Sequence, residues 1–402
     1  MDWQTTSETV PASIVPEARA ARQLAGRAPA TGAWRAGDPV GDRRFARIGE
    51  LALESGQVLP DVRIAYETWG TLSAARDNAI LVLHALTGDS HVLGPAGPGH
   101  PSSGWWPGVV GRGRAIDTDR WFVVAPNVVG GCQGSTGPAS LAPDGVEWGA
   151  RFPFLTIRDQ VAAQLAFARE LGIERFAAVV GGSMGAMHVL EWAVMAPDAV
   201  ERIAVLAAPA ATTADQIALN SVQLEAVRSD PAFRGGAYYD APEGDGPSRG
   251  LALARRMAML NYRTPVELNQ RFERSWQSGL DPLGGGGRFA VESYLDFHGN
   301  RFTRRFDANS YLVLTEAMNS HDVGRGRGGV SAALDRIEAT ALVLGIDSDR
   351  YFPLEGQREI ARALRRTVHG REPVVLRSDY GHDAFLIEDD AVGAALSELL
   401  AT

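Results

Sequence analysis

The stretch from residue 176 to residue 197 constrains the fold of this chain more than any other. An apolar run, Ala177-Ala178-Val179-Val180, leads into Gly181-Gly182-Ser183-Met184-Gly185, and a helix-like segment follows over 186–195. A strand, then Gly-x-Ser-x-Gly, then a helix forces a sharp corner in which the neighbours of the serine must be nearly free of side chain. The serine hydroxyl is lifted above the end of the sheet. It stands before a helix N-terminus, whose partial positive charge favours negative charge developing there.

The chain around this corner has the rhythm of a parallel sheet. Short apolar runs at 80–83, 121–125, 177–180 and 203–206 alternate with helical periods such as 158–171 and 187–196. Apolar runs of that length read as strands buried on both faces, so helices must cover the sheet on both sides. Residues 47–53 and 62–68 alternate instead and read as an antiparallel opening pair. The rhythm stops near Pro209 and resumes at 341–344 and 374–376, with a helix over 354–364 between them and a last helix from about 383 to 400. Between the two halves the chain is helical and polar, with glycine loops at 235–236 and 284–287. The expected architecture is the α/β-hydrolase fold: a mostly parallel sheet flanked by helices, a core over 46–210 and 331–402, and an inserted helical cap over 211–330. Residues 1–45 lack an apolar period and read as a disordered tail attached near Phe45.

All 39 basic residues are arginine, against 48 acidic ones, for a net charge of −9. Without lysine, Schiff-base and lysine-nucleophile chemistry is excluded. The acidic balance argues against nucleic acid or an anionic membrane as partner for the whole surface, while leaving room for a local arginine cluster. The single cysteine, Cys132, cannot form an internal disulfide and reads as structural. No apolar run is long enough to span a membrane and no apolar leader opens the chain, so cytoplasm is expected. His298 and His321 are isolated, no metal-ligand spacing appears, and no nucleotide fingerprint is present. No metal and no permanently bound cofactor are expected.

A serine hydroxyl needs a base, and in this architecture the chain order is serine, acid, histidine. The last strand, 374–376, is followed by Tyr380-Gly381-His382-Asp383, which makes His382 the base. The acid belongs after the preceding strand, in Gly345-Ile346-Asp347-Ser348-Asp349. Asp349 is preferred because a proline, Pro353, follows four residues later; Asp347 reads as a turn residue bonding its own backbone. The oxyanion hole needs two backbone N–H groups, expected from Met184 and Leu86. His84, just before that donor, reads as structural.

Several segments carry a resemblance. They are His84-Ala85-Leu86-Thr87-Gly88 with His91-Val92; residues 126–138; Phe154-Leu155-Thr156-Ile157-Arg158-Asp159; the elbow with Glu191-Trp192-Ala193; Tyr262-Arg263-Thr264; residues 305–311; residues 345–350; and residues 380–386. Together and in order, over roughly residues 47–400, they resemble the homoserine O-acetyltransferase family of the α/β-hydrolase fold. The resemblance implies acetyl transfer from acetyl-CoA, a co-substrate, to the hydroxyl of L-homoserine in methionine biosynthesis, by a ping-pong route through an acetyl-serine. It implies Arg255 for the acceptor carboxylate with Tyr262 seven residues on, Asp383 for its ammonium, and a homodimer joined through the cap helices. Arg256 is expected to point elsewhere, into a salt bridge. The loop 130–138 is expected to shape the tunnel for the CoA arm. Where the family usually has a second glycine after Gly185 this chain has Ala186, whose methyl group is expected to narrow the acyl pocket. Alternatives are succinyl-CoA as donor; serine or a deacetylated antibiotic precursor as acceptor; a plain serine esterase; and a non-catalytic binding protein, against which the intact Ser183, Asp349 and His382 speak.

Overall fold

The computed structural model describes residues 24–402. Eight strands form one sheet: β1 (Arg44–Ala52), β2 (Val58–Trp69), β3 (Ala79–Leu83), β4 (Phe122–Pro126), β5 (Ala178–Gly182), β6 (Arg202–Leu206), β7 (Thr340–Ile346) and β8 (Val374–Leu376). Their order is β1-β2-β4-β3-β5-β6-β7-β8. β2 runs antiparallel to both β1 and β4, and every other neighbour is parallel. The opening pair and the apolar runs read from the sequence are thus strands of one sheet, with β5 between β3 and β6.

Alternation along the strands sends side chains to two cores. Leu81, Val179, Ile203 and Val343 pack on one face with α1 (Ile157–Glu170) and α2 (Met184–Met195). Ile80, Val82, Val180, Ala204 and Leu342 pack on the other with Val392, Leu396 and Leu399 of the last helix. Each valine, leucine or isoleucine side chain fully buried this way contributes roughly 1.5–3 kcal/mol. α1 starts at a reciprocal cap: Thr156 accepts from the Asp159 N–H while the Asp159 carboxylate accepts from the Thr156 N–H at 2.9 Å.

Between β6 and β7 lie α3 (Ala214–Arg228), α4 (Ser248–Tyr262), α5 (Pro265–Phe272), α6 (Ala290–Phe302), α7 (Ala308–Asn319) and the short α8 (Val330–Leu334). α9 (Leu354–Ala363) joins β7 to β8. The last helix, α10, spans Asp389–Ala401, not 383–400. Residues Gly381–Leu386 form a separate 3-10 turn, so Asp383 does not cap α10.

The expected tail also needs correcting. Its first part, before residue 24, lies outside the described residues. Residues 24–43 pack onto the body: the Gly32 N–H donates to Phe306 O at 3.1 Å, the Trp34 N–H to Cys132 O at 2.9 Å, and the Thr31 hydroxyl to Asp307 at 2.7 Å. Their apolar residues are mostly alanine, with only Leu24, Trp34 and Val40 larger and no regular spacing, so no period announced them; backbone and hydroxyl hydrogen bonds help to hold them. The loop 130–138 takes part in the same contact. Its Thr136 N–H donates to Arg63 O at 2.8 Å and its Ser135 hydroxyl to Asn127 O at 2.5 Å. It does not itself line the cavity at Ser183, but Gln133 Nε2 donates to the carbonyl of Arg305, which does, at 2.8 Å.

Candidate active site

The corner after β5 is built as its sequence requires. Ser183 has φ 58° and ψ −125°, a region that costs a non-glycine residue about 1–3 kcal/mol. Its N–H donates to Leu206 O at 2.9 Å, which pins the turn to β6. The glycines are needed for close approach. A Cβ on Gly181 would stand 2.5 Å from the Gly185 carbonyl carbon, and one on Gly185 would stand 2.1 Å from Leu83 O.

The C-terminal ends of four strands converge here. Asp349 follows β7 and His382 follows β8. His382 Nδ1 lies 2.7 Å from Asp349 Oδ2, and Nε2 lies 2.8 Å from Ser183 Oγ. The arrangement is a neutral imidazole that donates Nδ1–H to the carboxylate and accepts the serine hydroxyl proton at Nε2. The other Asp349 oxygen accepts the N–H groups of Tyr351 and Phe352 at 2.8 and 2.9 Å, which fixes the carboxylate. Asp347 instead accepts the Ser378 N–H at 3.2 Å and touches none of this chain. All three groups of the chain are buried, and Tyr262, Tyr351, Phe352 and Phe385 surround the imidazole. Burial alone pulls the His382 pKa down; the charge and hydrogen bond of Asp349 outweigh it, so the net shift is upward. Gly381, at φ 63°, lets the histidine turn touch the end of α4: a Cβ there would stand 2.4 Å from Tyr262 O.

A cavity of about 260 Å³ opens on Ser183 and His382. Leu86 lines it, and among the described residues its N–H has no protein acceptor. Met184 opens α2, where a first-turn amide has no intrahelical partner. Arg255 and Tyr262, both on α4, line the same cavity, the guanidinium 5.8 Å from the ring centroid. Burial pushes the Tyr262 hydroxyl up to about 12, so it stays protonated at neutral pH. Arg256 turns away to Asp296 at 2.9 Å. Ala186 is fully buried but does not line the cavity, so its methyl group does not narrow the pocket. It faces into the packed core of the first sheet face instead.

Asp383 also lines the cavity, but it has a partner that sequence reasoning missed. Arg263 Nε lies 3.2 Å from Asp383 Oδ2, and Arg263 lines the cavity as well. Arg305 was missed too: it reaches from beyond α6 to donate to Thr87 O at 2.8 Å, joining the segment between β6 and β7 to the loop after β3 at the pocket wall. Both stand in the segments Tyr262-Arg263-Thr264 and 305–311 singled out above, so the signal was present without a role. Cys132 is buried, and burial pushes its thiol well above the usual range, which keeps it protonated and inert. His84 donates Nδ1–H to Ala85 O at 2.8 Å and accepts the Val128 N–H at 3.0 Å, a structural histidine that shapes the loop before Leu86.

Comparison with known proteins places this geometry. A family model described as alpha/beta hydrolase fold matches residues 78–389. A homoserine O-acetyltransferase of Leifsonia xyli subsp. xyli is 67% identical over 402 residues, covering 100% of both chains. The chain belongs to the homoserine O-acetyltransferase family. A homoserine O-acetyltransferase of Mycobacterium tuberculosis is 54% identical over 353 residues, 88% of this chain and 92% of the relative. Among solved structures, a homoserine O-acetyltransferase from Bacillus anthracis superposes with a TM-score of 0.81 at 27% identity, over 90% of this chain and 97% of that one. An acetylester hydrolase from Corynebacterium glutamicum superposes at 0.77 with 29% identity, over 90% and 97%. Fold likeness thus extends to hydrolases, while full-length identity lies with the acetyltransferases. No helix among the described residues is long and apolar enough to cross a membrane.

Proposed function

We propose that this chain transfers the acetyl group of acetyl-CoA to the hydroxyl of L-homoserine, giving O-acetyl-L-homoserine and CoA, with Ser183, His382 and Asp349 as catalytic residues. The observation that carries the reading is a cavity where the Ser183–His382–Asp349 chain meets the guanidinium of Arg255 and the carboxylate of Asp383, with Arg263 and Arg305 also on its wall. A zwitterionic acceptor needs both, and an ester hydrolase needs neither.

His382 Nε2 takes the proton of Ser183 Oγ as that oxygen attacks the thioester carbonyl. The oxyanion is held by the N–H groups of Leu86 and Met184, and the positive end of α2 adds to the field. Collapse expels the CoA thiolate, which leaves with the proton from His382, and acetyl remains on Ser183. Homoserine then enters. Arg255 holds its carboxylate with two parallel hydrogen bonds, Tyr262 lies alongside, and Asp383 faces its ammonium. His382 takes the homoserine hydroxyl proton, that oxygen attacks the acetyl carbonyl, and collapse returns the proton through His382 to Ser183. Asp349 holds the imidazole and stabilises its cation throughout.

Purified protein with acetyl-CoA should release steady-state thiol only when homoserine is added. Sustained release without an acceptor identifies a hydrolase, and turnover with succinyl-CoA alone overturns the donor assignment. Residues 211–330 act as a cap over the core. Ile217, Val222, Leu253 and Leu260 of α3 and α4 are exposed and form the face through which a homodimer joins, in the cytoplasm. A solution mass equal to one 42.9 kDa chain removes the dimer.

A further inference from the structure

The loop that carries Leu86 is a tight turn. The Gly88 N–H donates to Ala85 O at 2.9 Å, so Leu86 and Thr87 are its two central residues. Ala85 O also accepts Nδ1–H of His84 at 2.8 Å. His84 Nε2 takes the Val128 N–H at 3.0 Å, which leaves the ring proton on Nδ1, and burial pulls the pKa of this imidazole down. Ala85 O and the Leu86 N–H belong to one planar trans peptide and point in opposite directions. Two donors therefore hold the carbonyl end of a peptide whose N–H end has no protein acceptor among the described residues, in a residue that lines the cavity.

The turn is also held from the inserted segment. Thr87 O accepts Arg305 Nη1 at 2.8 Å. Thr87 O and the Gly88 N–H again share one peptide. The hydrogen bonds thus run in series: the Arg305 guanidinium to Thr87 O, the Gly88 N–H to Ala85 O, and the Leu86 N–H outward. Each peptide in such a series is polarised by the donor behind it, and here the first donor carries a full positive charge. Among the described residues Arg305 makes no ion pair, and Thr87 O is the one acceptor its side chain reaches. Burial, then the charge of Arg255, bring its pKa down to about 10, so it stays charged at neutral pH. Its main chain is fixed as well. Gln133 Nε2 donates to Arg305 O at 2.8 Å, and Gln133 Oε1 accepts Arg43 Nη2 at 2.8 Å.

We propose that Arg305 is a positioning residue of the oxyanion hole, acting through Thr87 and Gly88 on the Leu86 N–H. It rests on the reading that this N–H holds the oxyanion. The effect belongs to the transition states of both half-reactions, since each passes through an oxyanion at the same place. A neutral carbonyl asks less of the donor than an oxyanion does, so ground-state binding gains little.

Three probes separate positioning from direct contact with substrate. They are acetyl-CoA; p-nitrophenyl acetate, an uncharged acetyl ester; and a small trifluoromethyl ketone. The ketone accepts Ser183 Oγ at its carbonyl carbon, the serine proton passes to His382, and an oxyanion remains. Arg305→Met should lower kcat/KM on both esters by one common factor of about ten- to hundredfold, less than the roughly 10²–10³ of deleting an oxyanion donor outright. Ketone affinity should fall by the same factor, with the KM for homoserine within a few-fold of wild type. Arg305→Lys keeps a charge and a donor, and it should restore part of the loss on all three probes. If Arg305→Met yields no folded protein, Arg305→Lys carries the test, with a smaller loss shared equally by the three. A loss confined to acetyl-CoA, a change confined to the KM for homoserine, or unchanged ketone affinity overturns the positioning role. A wild type that neither leaves acetyl on the Ser183 peptide nor binds the ketone overturns instead the covalent reading beneath it.

Discussion

Two buried histidines of this molecule hold a carboxylate in nearly the same way, and only one stands before a hydroxyl. His382 Nδ1 meets Asp349 at 2.7 Å, and its far nitrogen faces Ser183 Oγ at 2.8 Å on the wall of a cavity. His91 Nδ1 meets Glu67 at 2.8 Å, but its far nitrogen faces Pro95 O at 3.3 Å. Glu67 also accepts the Ser90 hydroxyl at 2.9 Å, and the His91 ring stacks on His100 at 3.8 Å. Asp42, Glu67, His91 and His100 bring four potential metal-ligand atoms within 4.8 Å of one another, a grouping no sequence spacing announced. The near-parallel imidazoles, 14° apart, cannot both aim a ring nitrogen at one ion, and the cluster reads as a polar core. A histidine–carboxylate pair is therefore a generic device. It becomes a base where the second nitrogen meets a nucleophile beside open space, and it becomes a strut where that nitrogen meets a carbonyl.

The sharpest way to break this contrast is to remove the nucleophile. Ser183→Ala should lower acetyl transfer by a factor on the order of 10⁴ or more, measured as homoserine-dependent thiol release, with no loss of melting temperature. Activity within tenfold of wild type would end the covalent mechanism. Asp349→Asn should follow with a loss of about 10³–10⁴ in kcat, because the imidazole loses its tautomer control.

Glu67→Gln should do the reverse. Breaking a buried pair costs about 3–5 kcal/mol, so unfolding free energy should drop by that order while kcat of the folded enzyme stays within a few-fold. The pH dependence separates the two sites further. At His91, burial pulls the pKa down but the hydrogen bond and charge of Glu67 outweigh it, and the net shift is upward. The stabilisation it adds is full below the unfolded value of about 6.5 and fades as pH climbs through the higher folded value. The deficit of Glu67→Gln should thus be largest in acid, in denaturant titrations across pH. At His382 the shift is also upward, but the base works only when neutral. kcat/KM should therefore fall about tenfold per pH unit below a midpoint above ~6.5. The smallest effect belongs to Asp347→Ala, within a few-fold in activity; a collapse there would exchange the roles of the two aspartates.

What could be read in advance clusters at strand ends. Ser183, Asp349 and His382 each follow an apolar run that announces a buried strand, and the chain order of the three is a consequence of sheet topology. Arg255 and Tyr262 were singled out only by the family resemblance, and one helix carries both. Other parts were opaque for a common reason. Nothing in Arg263 or Asp383 says that they pair across 120 residues, and nothing in residues 24–43 says that they lie on the loop 130–138. The quoted segments did contain structural residues without labelling them as such. Buried Glu191 takes Arg158 at 3.2 Å and Arg327 at 2.8 Å, joining α1, α2 and the end of the inserted segment. Asp307 takes the hydroxyls of Tyr238 and Tyr239 at 2.7 and 3.0 Å.

By itself, the order of residues determined a parallel sheet, a strained serine corner and the strand ends on which an acid and a base had to stand, because side-chain period and turn chemistry act between near neighbours. Only the folded chain decided which carboxylate met which imidazole, which arginines gathered in front of the serine, and which histidine was left without a hydroxyl to activate. Those outcomes depend on contacts a few ångströms long between residues far apart in the chain, and no local pattern encodes such distances.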